Sequence, residues 1–298
     1  MNYRRLTLLA ICLLVCSISF SQDYAFKVLA NKGANEFKSA TGWQPLKTGA
    51  SLKETDELKV SENAYIGLVS SNGKPMELKQ AGNYKVSDLA AKMNGGTSVL
   101  NKYTDFILSS NSAEAKKNRL SATGAVHRAV EKSAITLNLP PNQSSGLFND
   151  KAIIRWTTKA SGPYVVTIRN MFDDVLDQIE TPETVLELDL GDKKLAAENA
   201  VLVEVSAKTD PKSVSAQYLI KKLTPSQQES IKKSLNEILG ELSAPTALNK
   251  LILAGFYEEN NLLIDAITSY EEAVKLAPDV LSYQEDYDEF LIRNGLKN

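Results

Sequence analysis

Cysteine and histidine are nearly missing from this 298-residue chain, which has 2 of the first and 1 of the second. Cys12 and Cys16 both fall in the first 21 residues, a segment with the marks of a removable leader. The rest of the chain then has no thiol to form a disulfide, hold a zinc ion or act as a nucleophile. The one histidine, His127, stands beside Arg128 in a polar stretch, where solvation is the expected state rather than metal ligation or base catalysis. A histidine-based triad would have to rest on that residue. No serine sits in a G-x-S-x-G elbow and no glycine loop has the phosphate-cradling form. Asp173-Asp174 and Glu285-Asp286 lack the spaced oxygen ligands of a calcium loop. A glycosidase needs only two carboxylates, which composition does not exclude, but the chain divides into small units and no catalytic-sized segment remains. No catalytic residue, cofactor or metal is therefore expected.

Long apolar runs are missing too, except at the start. Beyond it, charge interrupts every apolar stretch within about ten residues, against the roughly 20 that a membrane-spanning helix needs. The start reads "MNYRRLTLLAICLLVCSISFSQ": Arg4 and Arg5, an apolar run from Leu6 to Val15, then small residues at Ser19 and Ser21. This is the pattern of a secretory signal peptide over 1–21, cleaved after Ser21, and it predicts an exported product, periplasmic or secreted, with no membrane span in the mature chain. An uncleaved anchor is the alternative, for which the run is short. A lipoprotein with Cys16 as its first residue is another, and Val15 occupies the position where that signal requires a small residue.

A basic excess is also lacking. Loss of Arg4 and Arg5 takes the 34 basic residues to 32 against 36 acidic, a net charge of about −4, which disfavours general nucleic-acid binding. The charge is uneven: from Thr224 to Asn298 there are 6 basic and 13 acidic residues. Such an excess suits either a solvated helical surface or a basic partner.

What is present falls into a multidomain β + α pattern of three composition regimes. The first, 24–109, has short β-like segments and a trailing helix. Asn72-Gly73 marks a hairpin, because both residues tolerate the positive φ of a tight primed turn. Tyr65 to Val69 is apolar on both faces and predicts a central strand. Trp43-x-Pro45-Leu46, Gly49, Leu52, Asp56, Leu58, Val60, the Tyr65–Val69 strand, Asn72-Gly73 and Leu78 together resemble the FecR-like envelope domain, with Asn72 in place of the usual Asp. The resemblance implies a small β-fold in the cell envelope. It lends no support to sigma-factor control, since the cytoplasmic segment and membrane helix of signalling FecR proteins are not seen here. After Gly95-Gly96, Val99, Leu100, Tyr103, Phe106 and Ile107 share one helical face, with Thr97 or Ser98 as cap, and this helix is expected to pack on the β-unit. Residues 110–133 read as a linker.

The second regime, 134–223, contains seven alternating segments at roughly ten-residue spacing, the pattern of an immunoglobulin-like β-sandwich. Trp156 at an apolar strand position and Tyr164-x-Val166-x-Ile168 on the next strand resemble a fibronectin type III or related adhesive module.

The third regime, 224–298, is helical. Thr224-Pro225-Ser226-Gln227 offers a cap, a first-turn proline and a capping-box glutamine. Around Ala254 the spacing is that of a helix-turn-helix repeat: Leu253, Tyr257, Ala266, Tyr270, Ala273 and Pro278. The small residues let paired helices approach, and the aromatics fill the seam. This unit resembles a tetratricopeptide repeat, lacking only the early aromatic, where Lys250 stands. One repeat cannot bury both faces, so helices at 226–242 and after Val280 are expected to flank it, the latter burying Leu281, Tyr287, Phe290 and Leu291. The resemblance implies a peptide groove lined by Leu248, Leu251, Gly255, Glu258, Ser282, Glu285 and Glu289, partly filled by the preceding helix. Glu258, Glu285 and Glu289 are the candidate partner-binding residues. Trp43, if exposed, is a candidate for stacking on a glycan ring. The resulting expectation is a non-catalytic exported envelope scaffold or adaptor with an unidentified protein partner. A protein recognising glycan or peptidoglycan through its β-modules is the alternative.

Overall fold

The computed structural model describes residues 24–93, 99–112, 114, 115, 117, 134–141, 145–242 and 244–297. The expected leader, Thr97, Ser98 and His127 lie outside the described residues. Within them the chain is mixed, antiparallel sheets and six helices, and none of those helices is long and apolar enough to cross a membrane.

The N-terminal strands are β1 (Phe26–Lys32), β2 (Glu36–Ser39), β3 (Gly42–Pro45), β4 (Ser51–Leu52), β5 (Glu57–Val60), β6 (Tyr65–Ser70), β7 (Pro75–Leu78) and β8 (Gly82–Lys85), followed by helix α1 (Val86–Ala91). They form two four-stranded sheets, β4-β1-β6-β7 and β3-β2-β5-β8. Phe26, Val28, Leu52, Leu58, Ile66 and Leu68 form the core between them. The two apolar faces of β6 go to different places. Ile66 and Leu68 enter this core, while Tyr65 and Val69 turn outward into a second core made chiefly by helices. A register shift between Val28 and Ala30 lets β1 do the same with Leu29 and Ala30. The hairpin at Asn72-Gly73 forms, but its turn is not a two-residue primed one. Only Gly73 has positive φ, 91°, while the Asn72 amide donates to the Met93 carbonyl at 2.6 Å.

Helix α2 (Asn101–Ser110) follows. Leu100, Tyr103 and Ile107 are buried as the spacing predicts, whereas Val99 is exposed. Asn101 donates to the Ser71 carbonyl and Asp105 pairs with Lys27, so α2 does rest on the first β-unit.

The second β-unit contains β9 (Ile135–Leu137), β10 (Gly146–Leu147), β11 (Lys151–Thr158), β12 (Tyr164–Arg169), β13 (Val175–Thr181), β14 (Val185–Asp189), β15 (Ala200–Ala207), β16 (Asp210–Val214) and β17 (Tyr218–Lys222). One sheet runs β14-β11-β9 and the other β10-β17-β15-β12-β13, with β16 beside β15. Pairing is antiparallel except for β10 on β17. Each of the seven sequence segments contains a strand. The two-residue β10 and the short β16 carry too little alternation to be read. Trp156 and Tyr164 meet edge to face at 5.6 Å in the core between the sheets.

The helices are α3 (Pro225–Leu239), α4 (Ala247–Glu259), α5 (Leu263–Leu276) and α6 (Leu281–Arg293). Thr224 and Gln227 form the expected capping box, and Thr246 caps α4 by accepting from Asn249. Ala254, Ala266, Ala273, Tyr257 and Tyr270 are all buried in the seam. Leu281 is not: it is 71% exposed, and Val280 and Tyr283 are buried in its place. The helices have no private core. Leu29, Ala30, Tyr65 and Val69 of the first β-unit belong to the same apolar cluster as Leu248, Tyr270 and Phe290.

Candidate functional site

The groove face of α4 is where the sequence places a partner, and the protein's own chain occupies it. A Cβ on Gly67 of β6 would lie 3.2 Å from Leu248 Cδ1. A Cβ on Gly255 would lie 2.9 Å from Ile107 Cδ1 and 3.3 Å from the Tyr103 carbonyl oxygen of α2. Leu248 and Leu251 are fully buried. The preceding helix α3 reaches the shared core through Leu235 and Ile238, while β6 approaches Leu248 and α2 lies against Gly255. Beyond the partial filling by α3 that the sequence leads one to expect, β6 and α2 also close on this face, and glycines at positions 67 and 255 allow that close approach.

Glu258 does not face a cleft. Its side chain is 6% exposed and Arg293, 11% exposed, grips it through Nε and Nη2, both at 2.6 Å. The Asn294 amide adds a bond at 3.0 Å. Bidentate guanidinium–carboxylate pairing with further donors is the arrangement that makes a buried carboxylate tolerable, so Glu258 is a clamp between α4 and α6. Of the other two acids on α6, Glu285 is exposed and Glu289 half-buried. Ser282 is buried. The three candidate acids are thus not gathered at one open surface.

The opposite side of the helical layer carries a site that the sequence reading missed. Asp265, Thr268 and Glu271 recur every three residues along α5 and all face the second β-unit. The Asp265 carboxylate accepts from the backbone N–H groups of Phe148 at 2.8 Å and Asn149 at 2.9 Å, and from the Asn149 amide at 2.7 Å. Thr268 accepts from Ile153 N–H at 3.0 Å. Glu271 accepts from Nε and Nη2 of Arg155, at 2.6 and 2.8 Å. Helix α5 therefore supplies partners to the start of β11, where β9 does not reach, and covers that sheet edge. Burial pushes the Asp265 carboxyl up to about 6, although its hydrogen bonds act the other way. The signal was available as three polar side chains at three-residue spacing, on one face of the helix.

On the first β-unit the junction is also polar at its centre. Glu77 accepts from the Tyr65 hydroxyl at 2.5 Å and from Leu248 N–H, in the first turn of α4, at 3.1 Å. Burial alone would raise Glu77, but Lys79, Tyr65 and that N–H hold it below the ordinary carboxylate value.

Two features among the described residues are open to solvent near these units. Trp43 on edge strand β3 is 46% exposed, with Lys38 Nζ 6.0 Å from its ring. Between the first β-unit and the helices there is a cleft of about 390 Å³ that includes Lys32, Ala64, Ala247, Ala277 and Val280. Among the described residues no cluster of three or more His, Cys, Asp or Glu side chains is placed to hold a metal ion. The chain matches no protein-family model and no curated protein.

Proposed function

We propose that this chain is a non-catalytic, exported cell-envelope scaffold or adaptor, built from a FecR-like β-domain, an immunoglobulin-like sandwich and a tetratricopeptide-like helical unit. The observation that carries the reading is the double docking of the helices. One layer of helix is bonded to β11 through Thr268 and Glu271, to the turn before it through Asp265, and to the first β-unit through Glu77 and Tyr65. Such a joint fixes two β-units in one relative placement, which suits a protein that presents surfaces to others. The split first strand of the sandwich, β9 on one sheet and β10 parallel to β17 on the other, supports the immunoglobulin-like assignment.

Two measurements test this. Fractionation with N-terminal sequencing is expected to find the chain in the envelope, beginning at Gln22; an intact leader in the cytoplasm overturns export. Affinity purification from envelope extract is expected to recover a specific partner that is lost on Glu285→Lys with Glu289→Lys; no specific partner for the wild type counts against an adaptor.

The exposure of Trp43 favours a second reading, recognition of glycan or peptidoglycan, in which the indole stacks on a sugar ring. Quenching of tryptophan fluorescence by peptidoglycan fragments, lost on Trp43→Ala, is the expected result; unchanged binding by the variant removes it.

A further inference from the structure

The sheet β3-β2-β5-β8 has one face toward a core and the other toward solvent. Leu58 lies in the core of the first β-unit, with Phe37 and Tyr84 packed against it. Their neighbours along the strands point the other way. The register lines those neighbours up: Lys38 pairs with Trp43 on one side and Glu57 on the other, and Glu57 pairs with Lys85. Residues directly opposite on antiparallel strands share a face, so the four side chains form one row from edge to edge of the sheet. All four are exposed. At about 4.8 Å between strands the row spans about 14 Å. Pro45, Glu36, Lys59 and Asn83 form a second row beside it.

Charge on this face is settled except at one end. Lys38 pairs with Glu57 at 3.6 Å and Lys59 with Glu36 at 3.3 Å. Among the described residues the Lys85 ammonium has no partner. The other end carries Trp43, 46% exposed, with Lys38 Nζ 6.0 Å from its ring. The face thus offers one aromatic, one uncompensated positive charge about 14 Å away, and donors and acceptors between them. It lacks the apolar centre of a protein interface and the basic excess of a nucleic-acid surface. A sugar chain needs neither, since the C–H face of a ring stacks on an indole and its hydroxyls bond to charged side chains.

We propose that this face binds an acidic glycan laid across the strands, with a sugar ring stacked on Trp43 and a carboxylate held by Lys85. The proposal rests on the glycan reading of Trp43 and adds the charge of the ligand and its direction. Glu57 stands next to Lys85 in the row, and its pairing with Lys38 keeps it from repelling the carboxylate. The Lys38–Glu57 and Lys59–Glu36 pairs stay in place, and their remaining N–H hydrogens and oxygen lone pairs serve the sugar hydroxyls. A carboxylate on Lys85 forms a solvent-exposed ion pair, which shifts affinity by about fivefold and weakens with salt. The stack on Trp43 is insensitive to salt.

Isothermal titration with two tetrasaccharides is the test: the peptide-free glycan of peptidoglycan, whose lactyl groups carry a carboxylate on alternate sugars, and the chitin oligosaccharide, the same backbone without them. The wild type is expected to bind the lactyl-bearing chain about fivefold more tightly at low salt, with the preference fading as salt is raised. Lys85→Gln should lower that affinity to the level of chitin and leave chitin binding unchanged, with the unfolding midpoint unmoved. Trp43→Ala should abolish binding of both. Equal affinity of the wild type for the two chains, or a preference that survives Lys85→Gln, overturns the proposal and leaves the stacking on Trp43 standing. Binding of neither chain, or binding that survives Trp43→Ala, overturns both.

Discussion

The hydroxyls of Tyr65 and Tyr283, 218 positions apart in sequence, meet at 2.6 Å inside the junction between the first β-unit and the helices. Tyr65 donates to Glu77 at 2.5 Å, which leaves Tyr283 as the donor to Tyr65. Burial raises both phenols far above their ordinary value. The pair is a buried hydrogen-bonded link that ends on the Glu77 carboxylate, where leaving one member unpaired costs more than the bond itself contributes.

Tyr65→Phe is expected to destabilise the chain by about 1–3 kcal/mol, because both Glu77 and the Tyr283 hydroxyl lose a partner. Tyr283→Phe removes a single donor and should cost less. Urea unfolding of both single variants and the double one should give less than the sum; strict additivity would show that the hydroxyls are not coupled.

Gly255→Val should destabilise by about 1–3 kcal/mol through overpacking against Ile107 and the Tyr103 carbonyl. A glycine-to-alanine change in an open helix gains up to ~1 kcal/mol from propensity, and here contact with α2 offsets that gain. Hydrogen exchange in α2 is the readout: faster exchange at residues 103–107 in Gly255→Val is expected, and unchanged exchange would mean that α2 does not depend on this contact.

Arg293→Ala strands the Glu258 carboxylate at 6% exposure and should cost about 3–5 kcal/mol. Arg293→Lys should recover only part of the loss, because an ammonium cannot reproduce the two-pronged grip. A large loss in thermal stability with the first and a partial loss with the second is expected. If Arg293→Ala unfolds like the wild type, Glu258 is not the clamp described.

Asp265 ties stability to pH in the direction opposite to most carboxylates. Its folded value of about 6 lies above the ordinary 3.8, so the native chain binds its proton more tightly than the unfolded chain does. The group then costs stability above pH 6, on the order of 3 kcal/mol, and the cost disappears as pH falls toward 4. Asp265→Asn removes this dependence. The difference in urea midpoint between wild type and Asp265→Asn should shift in favour of the wild type on going from pH 7 to pH 4.5; a pH-independent difference would contradict the assignment.

Local periodicity makes many elements legible. The alternation in Tyr65–Val69 marks a strand with two apolar faces, the Thr224–Gln227 box marks a helix start, and the small and aromatic residues around Ala254 mark a helical pair. The candidate site was less readable. Leu248, Leu251 and Gly255 were seen on the groove face, and two apolar side chains with a glycine beside them are the sign of something packed close by. Its identity could not be read, because β6 and α2 are more than a hundred positions away. Glu258 looked like surface charge since its partner, Arg293, lies beyond the next helix.

By itself the sequence determined the succession of strands and helices, the confinement of both cysteines to the first 21 residues and the apolar faces that had to be covered, because these depend on residue type and position. Only the tertiary structure decided what covers them. The groove of α4 is approached by β6 and α2, the polar stripe of α5 is spent on β11 and the turn before it, and Phe172 is left projecting. Which face meets which depends on close approach at Gly67 and Gly255 and on donors that reach Asp265 and Glu258 only once the chain has closed on itself.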